Sequence, residues 1–316
     1  MKKRKEEKRR ELVSRQNQLL EEKVQERTFE LAEANQELTV INEELNSTLE
    51  TVSIQTETIR DKNKDITASI NYAKRIQKAS MPSPTKMADL FNEFFVFHRP
   101  RDIVSGDFFW TVTVGNKTLV AVVDCTGHGV PGAFMSMIGS QNLNEITKTK
   151  GITAPDEILA ELQKAIAVNL DQNNNQNQDG MDMALCCIDM DTKTLSFAGA
   201  KNPLTYIDEK GELQTIKGSR ASIGGQVEDT DTNPFERHDI QLKEGMQFYL
   251  YSDGYQDQFG GPDGKKFMSR RLREHLYSHR KNSLEKQGEL LEETFDNWRG
   301  RERQIDDVMV IGIKVF

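Results

Sequence analysis

Val24, Leu31, Leu38, Leu45, Val52, Ile59, Ile66 and Ala73 recur every seven residues without a break. That spacing holds one apolar stripe against a partner helix and predicts a left-handed coiled coil. The companion core positions four residues on, Asn35, Asn42, Leu49, Thr56, Asn63 and Ile70, are more polar, which lowers stability while fixing register and suits a parallel dimer. Neither Gly nor Pro occurs before Met81-Pro82-Ser83-Pro84. Residues 1–80 are therefore expected as one helix, a segment for dimerisation and signal transmission. From Val24 to Ala79 it would run on the order of 80 Å at 1.5 Å per residue; the plainer alternative is a solvated single helix laced with charge pairs. Between Asp65 and Ala79 a second apolar face appears, as expected of a switch-like helix that packs on the domain it leads into.

Beyond residue 81 the pattern changes to short apolar strands separated by turns, and residues 81–316 are expected to form one domain. Phe94–Phe97, Thr118–Asp124, Ala184–Met190, Leu195–Ala198, Gln247–Ser252 and Val308–Phe316 read as strands by their branched and aromatic content. Pro131–Ile146, Ala154–Leu170, Arg271–His279 and Leu284–Trp298 have helical periodicity. Runs of strands with paired helices predict an antiparallel α+β layered domain. The polar stretch Asp171–Gly180 has no core-forming side chain and is expected as a mobile loop.

The formal charge of −8 argues against a general nucleic-acid binder. Three cysteines, Cys125, Cys186 and Cys187, give neither a disulfide framework nor a zinc spacing, so a reducing, cytoplasmic setting is expected. No apolar run approaches the roughly 20 residues of a membrane span. The basic start Lys2-Lys3-Arg4-Lys5 leads into Glu6-Glu7 rather than a signal-peptide core; it reads as a solvated helix start or as a juxtamembrane segment of a longer parent.

Four carboxylate motifs stand out against this background: Ser105-Gly106-Asp107, Asp124-Cys125-Thr126-Gly127-His128-Gly129, Ser252-Asp253-Gly254-Tyr255-Gln256-Asp257, and Asp306-Asp307. Each ends an apolar strand-like run or sits in a turn beside one. Taken singly, each Asp reads as a turn or capping residue. Together they predict an oxygen-rich pocket suited to Mg²⁺ or Mn²⁺, and with it metal-assisted hydrolysis of a phosphate ester.

These residues resemble the metal-dependent protein phosphatases of the PPM superfamily, in the bacterial SpoIIE-like branch related to type 2C enzymes. The resemblance rests on Asp102–Trp110, Val123–Met137, Gly180–Leu185, Leu250–Gly260 and Ile305–Ile313. It implies two stacked antiparallel β-sheets flanked by helices and a pair of divalent cations, Mn²⁺ or Mg²⁺. Asp124 matches the bridging metal carboxylate, the carbonyl of Cys125 a neighbouring ligand, and Asp253 and Asp306 further metal carboxylates. Asp107 matches an acidic residue that assists one ion, and Asp307 exchanges roles with Asp306 if the alignment slips by one. The implied reaction is attack on phosphorus by a metal-activated water, with catalytic roles for Asp107, Asp124 and Asp253. Arg101 is a candidate phosphate clamp, or a solvated surface Arg. His128 lies four residues past Asp124, away from the family's His after the Asp-Gly pair, and reads as a turn-packing residue. Ser222 stands where relatives often have Pro. The implied partner is a phosphoSer or phosphoThr protein, in this branch often a small anti-sigma-factor antagonist. The competing reading is a dimeric scaffold that keeps the fold without turnover.

Overall fold

Uninterrupted by Gly or Pro, the first segment forms one helix, α1 (Lys2–Ser80), in the computed structural model, which describes residues 1–82, 84–225 and 233–315. By its contacts the chain divides into Met1–Ala68 and Ser69–Phe316. In the first unit every residue is exposed, the heptad stripe included. The last turns of α1, from Ser69, belong to the second unit. Within that unit Gln77 is buried, donating from Nε2 to the Ser105 carbonyl and to Ser136 Oγ (2.8 Å). Ser83, inside the expected boundary motif, and Phe316, the end of the last expected strand, lie outside the described residues.

After α1 the second unit continues with a short helix, α2 (Pro84–Ala88), and strands β1 (Glu93–Arg99), β2 (Phe108–Val114) and β3 (Lys117–Cys125). Helix α3 (Gly129–Asn144), a π-turn at Glu145–Thr149 and α4 (Pro155–Asn169) follow. Strands β4 (Gly180–Asp189), β5 (Thr194–Ala200), β6 (Leu204–Ile207), β7 (Leu213–Ile216), β8 (Ile223–Gly224), β9 (His238–Gln241) and β10 (Gln247–Tyr251) come next. The chain continues through α5 (Gly254–Asp257), the small ribbon β11 (Phe259–Gly260) and β12 (Lys265–Lys266), α6 (Ser269–His279), α7 (Leu284–Arg299) and β13 (Val308–Lys314).

Two antiparallel sheets result, one ordered β1-β13-β10-β6-β7 and the other β2-β3-β4-β5-β9, with β8 paired to β4. Side chains alternate along a strand, so a strand covered on both sides must be apolar on both. In β3, Val120 and Val122 face the layer between the sheets, while Leu119, Ala121 and Val123 face Ile158, Leu159 and Leu162 of α4. In β13, Met309, Ile311 and Ile313 enter the intersheet layer, and Val308 and Val310 pack with Leu291 and Phe295 of α7. The expected sandwich of helix, sheet, sheet and helix is the architecture found. The polar stretch Asp171–Gly180 departs from the expected free loop, because Gln172 is buried and ties it down through Nε2 to the Asp179 carbonyl (2.6 Å) and Oε1 from the Gly225 amide (2.9 Å).

Candidate functional site

The carboxylate motifs meet at one edge of the sandwich because the strands carrying them end there. Asp124 is the penultimate residue of β3 and lies opposite Asp182 of β4 in the antiparallel register. Asp253 follows β10 and caps α5, and Asp306 precedes β13. With Cys125, His128, Asp182 and Lys201 they line a cavity of about 470 Å³. Close backbone approach makes this assembly possible: a Cβ at Gly254 would lie 1.9 Å from the Asp307 carbonyl oxygen, and one at Gly132 2.3 Å from that of Gly127.

Asp107 lies behind the cavity wall, buried, hydrogen-bonded to Asp124 and accepting from Ser252 Oγ. Burial pushes its carboxyl up to about 8, the Ser252 hydrogen bond opposes this, and repulsion from Asp307 and Asp306 adds to it. Burial and then the charge of Asp107 and Asp253 raise Asp124 well above the carboxylate range. Asp253 is raised by burial, Asp257 and Asp306, and Asp306 chiefly by burial. Burial also pushes the Cys125 thiol well up, so its sulfur is held protonated.

The adjacent pair Asp306-Asp307 splits its duties. Asp306 lines the cavity, whereas buried Asp307 turns away and accepts the Arg101 and Gly106 amides, each at 2.7 Å. Arg101 is exposed, and its guanidinium donates to the Ile305 carbonyl (2.9 Å). It lies near enough to ease the charge of Asp306, but it is not among the residues lining the cavity. His128 stands at the rim, its Nδ1 2.8 Å from Asp102 Oδ2. Asp182, quoted in the sequence only as part of a motif, is a cavity residue held by Lys201 Nζ (3.2 Å) and Ser222 Oγ (2.7 Å). Its position follows from the β3–β4 register, which a motif read alone does not show.

The donor chemistry fits hard divalent cations. The cavity offers carboxylate oxygens that are only partly neutralised locally: Lys201 pairs with Asp182 and Arg101 eases Asp306, while Asp124 and Asp253 form no ion pair among the described residues. The carboxylates share the cavity without closing on one point: among the described residues no three of His, Cys, Asp and Glu form a ready-made metal shell.

Comparisons with known proteins agree with this geometry. Residues 115–316 match the family described as Stage II sporulation protein E (SpoIIE). Over 200 residues the chain is 24% identical to the "Phosphoserine phosphatase RsbU" of Bacillus subtilis (strain 168), a match covering 63% of this chain and 56% of that protein. The chain thus spans little more than half the length of that relative. Among solved structures, the SiaA-PP2C domain of Pseudomonas aeruginosa superposes with a TM-score of 0.72 at 34% identity, over 80% of this chain and 98% of that one. The PP2C phosphatase domain of SpoIIE from Bacillus subtilis, solved with a fragment of its regulatory domain, gives 0.56 at 19% identity over 70% and 62% of the two chains, a likeness of fold alone. No helix among the described residues is long and apolar enough to cross a membrane.

Proposed function

The chain belongs to the SpoIIE family of PP2C-type serine/threonine phosphatases, and from that premise we propose that its carboxylate cavity hydrolyses a phosphoserine or phosphothreonine on a partner protein with the help of two divalent cations, Mn²⁺ or Mg²⁺. The observation that carries this reading is the convergence of Asp124, Asp253 and Asp306, from three separate parts of the chain, on one cavity, with buried Asp107 behind its wall. Asp124, the Cys125 carbonyl, Asp253 and Asp306 would hold the ions. Bound there, the pair supplies Lewis acidity, neutralising phosphoryl charge and making water nucleophilic at neutral pH.

The chain's own residues do the rest. Asp107, fixed by Ser252 Oγ, orients Asp124 from behind. Asp307 ties the loop of residues 101–106 to the start of β13, so that Asp306 keeps its place. Arg101, next to Asp306, is within the field of an incoming phosphate and serves as its clamp. The partner that the family resemblance implies is a small phosphoprotein such as an anti-sigma-factor antagonist. The heptad stripe of α1 forms a parallel homodimer. Gln77 supports a gating role for the end of that helix, because it grips the carbonyl of Ser105, two residues before Asp107.

Phosphate release from an aryl phosphate during a Mn²⁺ titration tests the activity. Turnover should rise with Mn²⁺ and fall on the order of 10³-fold in Asp253→Asn, about 4 kcal/mol of barrier. Absence of turnover at every Mn²⁺ concentration, or an active variant, would overturn the reading.

A further inference from the structure

A second cavity, of about 440 Å³, has the opposite electrostatic character. Lys201, Lys217, Arg220 and Arg273 surround it, with Ser219 and Tyr251 in its wall. In a chain of net charge −8, four cations around one cavity run against the average. Lys217 and Arg220 are exposed and Arg273 half-buried, and no carboxylate among the described residues forms an ion pair with any of the three. Lys201 belongs to both cavities: it lines this one and the carboxylate cavity, where its Nζ reaches Asp182.

The backbone here is pinned. Lys201 adopts φ 56°, a conformation that costs a residue with a Cβ on the order of 1–3 kcal/mol and persists only where the surroundings enforce it. The enforcement is visible. The Lys201 amide donates to the Ser219 carbonyl and the Ser219 amide to that of Gly199, both at 2.8 Å. Gly218 sits so close that a Cβ there would lie 2.7 Å from the Asn202 carbonyl oxygen. The segment carrying Lys217 and Arg220 is thus sewn to the residue that reaches the carboxylate cavity.

We infer that the basic cavity is a docking subsite for Asp and Glu side chains flanking the phosphoresidue of the protein substrate, an inference that rests on the phosphatase reading for its link to catalysis. The cationic surface adjoining the carboxylate cavity attracts an acidic segment. Arg forks and Lys ammoniums bind carboxylates and steer encounter, which favours specificity over raw affinity. A free anion would have no use for the shared Lys201, whereas a chain running from one cavity to the other would.

Two phosphoserine peptides of equal length test this on the full chain with Mn²⁺, one flanked by Asp and Glu, the other by Ala and Gln. The wild type should prefer the acidic peptide about tenfold in kcat/KM, mainly through KM, which corresponds to about 1.4 kcal/mol. Lys217→Glu with Arg220→Glu should abolish or invert the preference, Lys217→Gln with Arg220→Gln should reduce it, and Lys281→Glu, an exposed lysine outside the cavity, should leave it intact. Raising salt from about 0.05 to 0.5 M should compress it. Equal use of both peptides by the wild type, or a preference that survives the double reversal, overturns the inference. Fluorescence anisotropy with the acidic peptide bearing unphosphorylated Ser separates the two readings. Selective binding, lost in the double reversal, supports the subsite even if nothing is hydrolysed, a result that sinks the phosphatase reading alone. Hydrolysis without discrimination sinks the subsite alone.

Discussion

The unit Met1–Ala68 and the carboxylate cavity break the same rule in opposite directions. Along the helix, Leu31, Leu38 and Leu45 are more than half exposed, while behind the cavity wall Asp107 is 3% exposed. Apolar groups normally leave water and charges normally stay in it. On the proposed reading, each inversion marks a surface whose physical complement is another body: a second apolar helix in one case, hard cations in the other. The difference lies in where the cost falls. An exposed leucine costs little in the single chain, whereas a buried uncompensated carboxylate strains the folded state and shifts its own protonation.

The largest expected effect is therefore on the metal-free protein. Asp107 is pushed up to about 8, so between about pH 4 and 8 the folded chain keeps a proton that the unfolded chain has released. Stability is then greatest at the acidic end of that window and falls as pH rises through it. In chelator, Asp107→Asn should reduce that slope and raise stability at pH 8 by on the order of 2–5 kcal/mol. Urea unfolding at several pH values measures this, and an unchanged slope would mean that the carboxylate carries no such burden.

Asp307 sharpens the contrast from within the second unit, since it is a buried carboxylate with its complement already built in. Asp307→Asn replaces one accepting oxygen by an amide facing the Arg101 or Gly106 N–H and should cost about 1–3 kcal/mol at any pH near neutrality. Asp306→Asn, one residue away, should not destabilise the metal-free protein. Thermal unfolding of the pair decides it; equal losses would erase the distinction drawn between the two residues.

The smallest effect on the sandwich belongs to the helix. Leu38→Asn with Leu45→Asn should halve the mass seen by light scattering while moving the unfolding of the second unit by less than about 0.5 kcal/mol. A wild type that is already monomeric would sink the dimer. Mn²⁺-dependent turnover unchanged by the substitutions would sink gating through the helix.

How much of this was legible in the sequence follows the range of the interactions involved. Helices α1, α3, α4, α6 and α7 and strands β1, β3, β4, β5, β10 and β13 were readable from local periodicity and composition, with ends displaced by a few residues. Strand β2 was not, although Trp110-Thr111-Val112-Thr113-Val114 alternates apolar with polar residues, because it runs on directly from the carboxylate motif that ends at Asp107. Strands β6, β7 and β9, four residues each, are too short to announce themselves without their neighbours. In the site, Asp124 and Asp253 stood at visible strand ends. The choice between Asp306 and Asp307 depended on which one the amides of residues 101 and 106 would claim, some two hundred positions away. Asp182 and the basic cavity depended on the β3–β4 pairing and on a bridge between Ala200 and Ser219, neither of which leaves a trace in local pattern.

Strand β13 lies between β1 and β10, which pair only through it. A chain made from its N-terminus acquires its carboxylates in the order Asp107, Asp124, Asp253, Asp306, and the last of them arrives together with the strand that closes that sheet. Until Val308–Lys314 has been synthesised, β1 has no partner strand, β10 keeps one edge open, and Asp306 has no frame to hold it. Competence is thus gained in one late step of biosynthesis: a product cut short before β13 would be no partially working enzyme, but an aggregation-prone precursor with its two halves of a sheet still waiting to be joined.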